Sequence, residues 1–160
     1  MIYIDTSVLY HYTTNGEFAD FAEDILTSKE PKVTSDTVVD EFLFIAIKRE
    51  VRRNFGINST LSLKKRIAKN DELLEFVYET GKRALAVLDR FDIMIVPDSR
   101  DWAKILVLMK FYKLLPHDAR IIATALEYGA KKVATFDTDF GVAKEIVELT
   151  PSSFWNTIQF

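Results

Sequence analysis

Short apolar runs alternate with longer amphipathic segments along this 160-residue chain, glycine and proline are sparse, and cysteine is absent. Together these predict an α/β fold, a parallel sheet covered by helices. Few chain-breaking residues favour long helices joined by short loops. Without a thiol there is no disulfide, no thiolate metal site and no cysteine nucleophile, so packing alone must hold the fold. A domain of this length buries roughly 70% of the surface its unfolded chain exposes, which is core enough without staples. The expectation is one domain spanning residues 1–160.

Taken in order, Met1 to Ile4 is the first strand-like run, and Thr6 and Ser7 offer caps for a helix through Val8 and Leu9. Lys32 to Ser35 reads as a second strand, after which Asp36 or Thr37 caps a helix reaching about Arg53. Ser59 to Lys69 and Asp71 to about Arg90 read as two more helices, the latter with Asp71 and Glu72 in its first turn, where the helix dipole favours them. Phe91 to Val96 is a third strand, stopped by Pro97. Ser99 is the expected cap of a helix carrying Trp102, Ile105, Leu106 and Met109. Pro116 opens another helix, which Gly129 ends. Val133 to Phe136 is the fourth strand, Phe140 to Ile146 a short helix, and Phe154 with Trp155 should pack back onto the domain. This order predicts right-handed crossovers, with ligands bound beyond the carboxyl ends of the strands.

Charge is unevenly spread. Between Lys48 and Lys69 eight basic residues stand against Glu50 alone, in a chain whose formal net charge is −3. A basic stretch beside an acidic remainder suits a polyanion, because phosphate contacts supply most non-specific nucleic-acid affinity; it equally suits a solvated helix face. No apolar run reaches the ~20 residues that span a bilayer, and Asp5 interrupts the amino terminus where a signal peptide needs its apolar centre. A soluble, cytoplasmic protein is expected.

Four acids stand at the edges of apolar segments: Asp5, Glu41, Asp118 and Asp137. Asp5 and Asp137 each follow a strand-like run. At 100° per residue, Asp118 shares its helix face with Ile121, Ile122 and Ala125, and Glu41 lies among Val38, Phe44 and Ile45 with Lys48 two turns on. Carboxylates near a core are costly unless something positive joins them, and several converging ones suit a hard divalent cation. Each has an ordinary structural reading too. Asp5 suits a helix cap, Asp137 and Asp139 an Asx turn, Asp118 a first-turn acid, and Glu41 a salt bridge to Lys48. His117, next to Asp118, reads either as a substrate contact or as a solvent-facing residue at a helix start.

Asp5-Thr6-Ser7-Val8-Leu9 after a short strand, Glu41 on an early helix, the run from His117 to Ala125, and Ala134-Thr135-Phe136-Asp137-Thr138-Asp139-Phe140 together resemble a PIN-domain ribonuclease, most like the VapC-type toxins of toxin-antitoxin pairs. The resemblance implies a three-layer sandwich with a central parallel sheet of four to five strands flanked by helices. It implies a ribonuclease whose Asp5, Glu41, Asp118 and Asp137 hold Mg2+ or Mn2+, with Asp139 as a further ligand and either Asp137 or Asp139 as the fourth. Thr6 and Thr135 would orient the carboxylates. It also implies an RNA substrate, a VapB-type antitoxin and a homodimer. Lys48, Arg49, Arg52 and Arg53 continue the Glu41 helix and would guide phosphates toward it. A helical, basic extension at about 52–82 is longer than a compact toxin needs. A housekeeping RNA-processing nuclease and a non-catalytic RNA-binding or assembly module of the same fold are the alternatives. A haloacid-dehalogenase-like phosphatase would need Asp where Ser7 stands, and a phospho-acceptor receiver would need paired acids near the first strand, which are missing.

Overall fold

The computed structural model describes residues 1–158. Five strands form one sheet: β1 (Ile2–Ile4), β2 (Lys32–Ser35), β3 (Ile93–Val96), β4 (Lys132–Ala134) and β5 (Glu148–Thr150). Their order across the sheet is β3-β2-β1-β4-β5, and every pairing is parallel. The helices between them are α1 (Thr6–Thr14), α2 (Ala19–Thr27), α3 (Asp36–Phe55), α4 (Thr60–Ile67), α5 (Asp71–Arg90), α6 (Trp102–Tyr112), α7 (Pro116–Glu127) and α8 (Ser152–Trp155). A parallel sheet flanked by helices buries its strands on both faces, which is why β1 and most of β2 and β4 are buried along their length. The expected sheet and its helical cover are thus present.

The topology positions the site. From β1 the chain builds outward through β2 to β3 on one side and later through β4 to β5 on the other, so the winding reverses between β1 and β4. In open α/β sheets the crevice at such a reversal, beyond the carboxyl ends of the strands, is where ligands bind. Asp5 ends β1 and Thr135 follows β4, in register with one another through Ile4 and Ala134.

Several local expectations are corrected. α1 is capped not by Thr6 or Ser7 but by Asp5, in keeping with the helix-cap reading of that acid, its side chain accepting from the Ser7 amide. α6 is capped by Asp101, which accepts from the Lys104 amide at 3.0 Å. Ser99 instead receives a hydrogen bond at its oxygen from the Asp101 amide, and its own amide donates to Thr124. α3 has no local side-chain cap; Asp98, just past β3, accepts from the Thr37 amide and hydroxyl at 3.0 and 2.6 Å. Phe140 to Ile146 is replaced by a 3-10 turn over Thr138–Ala143. α2 and β5 go beyond the sequence expectation. β5 contributes one buried residue, Leu149, too little to register as a strand pattern.

The main core joins the sheet to α1, α2, α3, α5, α6 and α7 and runs on to Phe154, whose ring packs against Phe18 and Phe136. A second, smaller cluster of Val51, Ile57, Leu63 and Leu73 lies beneath α4 and the ends of α3 and α5. Among the described residues no helix is long and apolar enough to cross a membrane.

Candidate metal centre

Asp5, Glu41, Asp118 and Asp137 line one cleft of about 330 Å³, together with Thr6, Ser7, Tyr10 and His117. Two acids come from strand ends and two from helices, α3 and α7. Asp5 is the most buried, 5% exposed. Its Oδ2 accepts from Ser7 Oγ at 2.7 Å, Thr135 Oγ1 at 2.8 Å and the Ser7 amide at 3.3 Å. The direction of these bonds is forced. Phe136 N–H donates to Ser7 Oγ and Asp137 N–H donates to Thr135 Oγ1, so both hydroxyl protons are turned onto Asp5. Burial pushes the Asp5 carboxyl above its usual range, and those hydrogen bonds oppose the push without cancelling it.

Glu41 is held from two sides. Thr6 Oγ1 donates to its Oε2 at 2.7 Å, and His117 Nε2 lies 3.2 Å from the same oxygen. The pairing with His117 lowers the Glu41 pKa, and pairing with Glu41 raises that of His117. His117 is therefore engaged at the site, not merely solvent-facing, and Lys48 lies over the Phe44 ring with no salt bridge to Glu41. Asp118 occupies the first turn of α7, behind Pro116. Burial raises its pKa and His117 opposes that, while Asp137, Asp5 and Asp139 raise it further. Asp5, Asp137 and Asp139 thus lie near enough to Asp118 for their charges to disfavour its ionised form.

Asp137 is exposed and its Oδ1 accepts from the Asp139 amide at 2.9 Å, so the turn role expected of the pair coexists with a place in the cleft. Asp139 lies in an adjoining recess that it shares with Asp118. None of Lys48, Arg52 and Arg53 lines the acidic cleft, nor does Arg49. Arg49 and Arg53 both pair with Glu50, at 3.2 and 3.5 Å. The sequence offers Ser7 only as a helix cap, leaves His117 between substrate contact and solvent, and gives Tyr10 no role, yet all three line the cleft. Ser7 sits two residues past Asp5, a spacing that could have marked it; nothing local marks Tyr10.

The donor set is all carboxylate oxygen, as hard divalent cations prefer. Among the described residues, however, no three acidic or histidine side chains stand close enough together to hold an ion as they are, because Glu41 is turned to His117 and Asp137 to its own loop. The chemistry of the four carboxylates fits such an ion; their spacing is wider than direct coordination by three of them requires.

Comparison with known proteins bears on the fold and the family. The PIN domain family model matches residues 2–146. Ribonuclease VapC6 of Methanocaldococcus jannaschii is 27% identical over 148 residues, covering 87% of this chain and 90% of that protein. The crystal structure of VapC20 of Mycobacterium tuberculosis, described as a sarcin-ricin loop cleaving toxin, superposes with a TM-score of 0.60 at 18% identity, over 94% of this chain and all of that one.

Proposed function

This chain belongs to the PIN-domain family, and from that premise we propose that it is a divalent-metal-dependent endoribonuclease that hydrolyses RNA phosphodiester bonds. The observation that carries the reading is the convergence of Asp5, Glu41, Asp118 and Asp137 on one cleft at the β1/β4 reversal. These four would hold Mg2+ or Mn2+, with Asp139 as a further ligand beside Asp118. A divalent ion bound there supplies an activated water and neutralises charge on the phosphodiester. Ser7 and Thr135 fix the orientation of Asp5, and Thr6 fixes that of Glu41. His117 lines the cleft with its Nε2 3.2 Å from Glu41, and would meet the phosphate of an RNA bound there. Lys48, Arg49, Arg52 and Arg53 lie farther along α3 and would steer the RNA by charge.

Within that activity, the toxin of a toxin-antitoxin pair is the first role, supported by the likeness to a VapC ribonuclease, and it brings a VapB-type antitoxin as partner and the cytoplasm as location. A homodimer would use α6, whose Trp102, Leu106, Val107 and Phe111 are each more than half exposed. Residues 1–160 would act as one nuclease unit, with the basic segment at about 52–82 as an extension. One observation favours a second reading, a non-catalytic RNA-binding module: the acids stand apart within the cleft.

Purified protein should cleave RNA with Mn2+ or Mg2+ and stop with EDTA. Asp118→Asn should lose cleavage by at least about 100-fold, the order expected when a charge-stabilising group is removed, with an unchanged circular dichroism spectrum. Undiminished metal-dependent cleavage by that variant would sink the assignment. Absence of Mn2+ uptake by titration calorimetry, with RNA still bound, would select the non-catalytic module.

A further inference from the structure

Next to the acidic cleft, and sharing Tyr10 with it, lies a second cavity of about 220 Å³ between α1, α3 and α5. Its volume is below the ~300–1,000 Å³ typical of drug-sized ligand sites, a scale suited to a single planar ring. Its apolar lining comes from Phe42, Ala46 and Ala84, the two alanines standing one on each helix. Arg49 and Arg83 stand on its two walls. Neither uses its charge to hold α3 to α5. Arg49 pairs with its neighbour Glu50, and Arg83 donates to Thr80 Oγ1 at 3.1 Å, one turn back on its own helix. Among the described residues the Arg83 guanidinium has no carboxylate partner, and the Tyr10 hydroxyl has no hydrogen-bond partner.

Glu50 also lines the cavity, its carboxylate engaged by Arg49 and Arg53, which leaves Arg83 as the arginine there without a carboxylate partner. A small cavity with an apolar patch, a tyrosine and that arginine, beside a cleft proposed to cut RNA, matches the two faces of a nucleotide: a base to be covered and a phosphate to be paired. We propose that this cavity is a subsite for the nucleotide adjacent to the scissile phosphate, with its base against Phe42, Ala46 and Ala84 and its phosphate on Arg83. Tyr10 lines both cavities and would touch nucleotides on either side of it. The proposal rests on the ribonuclease reading for the direction of the strand but not for the binding itself.

The test measures binding of fluorescein-labelled ribonucleotide pentamers and dinucleotides to the full chain in EDTA by anisotropy, at several salt concentrations, for wild type, Arg83→Gln and Ala46→Leu. Arg83→Gln should weaken pentamer binding about tenfold and reduce the salt slope by roughly 0.7, the value of one phosphate contact on a single strand. Ala46→Leu, which fills the slot, should weaken the pentamer comparably while leaving the salt slope unchanged, and dinucleotides, long enough to occupy the subsite, should lose affinity in both variants as well. Pentamer affinity and salt slope equal to wild type in both variants would overturn the subsite, even if wild type cleaves RNA with Mn2+. The predicted losses in a protein that never cleaves would keep the subsite and remove the nuclease. A wild type that binds no pentamer would overturn both.

Discussion

At Asp5 stability and function pull in opposite directions. Its carboxylate is buried among hydroxyl and amide donors with no cationic side chain paired to it, so the ionised form is held at a cost that a bound cation would offset. Asp5→Asn keeps the acceptor oxygen and removes the charge. In EDTA at neutral pH this variant should melt roughly 2–4 °C higher than wild type, the shift that ~1 kcal/mol gives a domain of this size. Mn2+ should stabilise wild type and not the variant. Differential scanning calorimetry decides it, and a lower melting temperature for the variant in EDTA overturns the argument. His11 offers a second test. Its ring sits among Phe18 and Phe136, and its Nδ1 is buried without a partner, facing the place where a Cβ on Gly16 would fall. Burial lowers its pKa, so below the ordinary value of about 6.5 the unfolded chain binds the extra proton and the folded one resists it. Stability should therefore fall as pH drops from about 6.5 through the lowered value. His11→Phe should flatten that part of the curve in urea titrations, and an equally steep acid limb would refute it.

Among the elements, α3 matters most, because it carries Glu41 and the basic residues and begins without a local cap. The Thr37 amide and hydroxyl are satisfied from across the chain by Asp98. Asp98→Ala should cost about 1–2 kcal/mol, the usual loss on removing an N-terminal cap, seen as a lower urea midpoint with an unchanged slope. A midpoint equal to wild type would mean that water replaces the carboxylate. This long-range cap also shows where the sequence stops being legible. Helices with strong periodicity and a Pro or Gly at an end, or acids in the first turn, such as α7 and α5, could be read with good boundaries. Caps could not, because Asp5, Asp98 and Asp101 all compete with nearby hydroxyl residues that look equally able. The acids themselves were readable, since a carboxylate at a strand end or on an apolar face stands out locally. Their partners were not: His117 meets Glu41 only because α3 and α7 pack together.

For the whole molecule, the exposed apolar side chains of α6, Trp102, Leu106, Val107 and Phe111, are a marked departure from a polar surface. If they pair with a second copy, Phe111→Glu should convert a dimer to a monomer by light scattering while leaving the melting temperature within a few degrees at low protein concentration. A wild type that is monomeric at high micromolar concentration would refute the pairing. The overall architecture was the most legible level, because alternation of strand and helix constrains a parallel sheet strongly. The order β3-β2-β1-β4-β5 was not, since it depends on which neighbours each short strand finds and β5 left too faint a pattern to be seen.

The pairing of the first strand with the fourth also sets a clock on the chain's own synthesis. Ile2 has no β4 partner until Lys132 has been made, and Asp5 lacks Thr135 for as long. At ~5–20 residues per second, translation takes on the order of ten seconds with the amino-terminal half of the cleft already made and the other half missing. During that interval a nascent chain still tethered to its ribosome carries Asp5 and Glu41 but neither Asp118 nor Asp137. A cleft divided in this way would lack two of its four acids, and with them the cation site proposed for it, until the segment through Asp137 has been made.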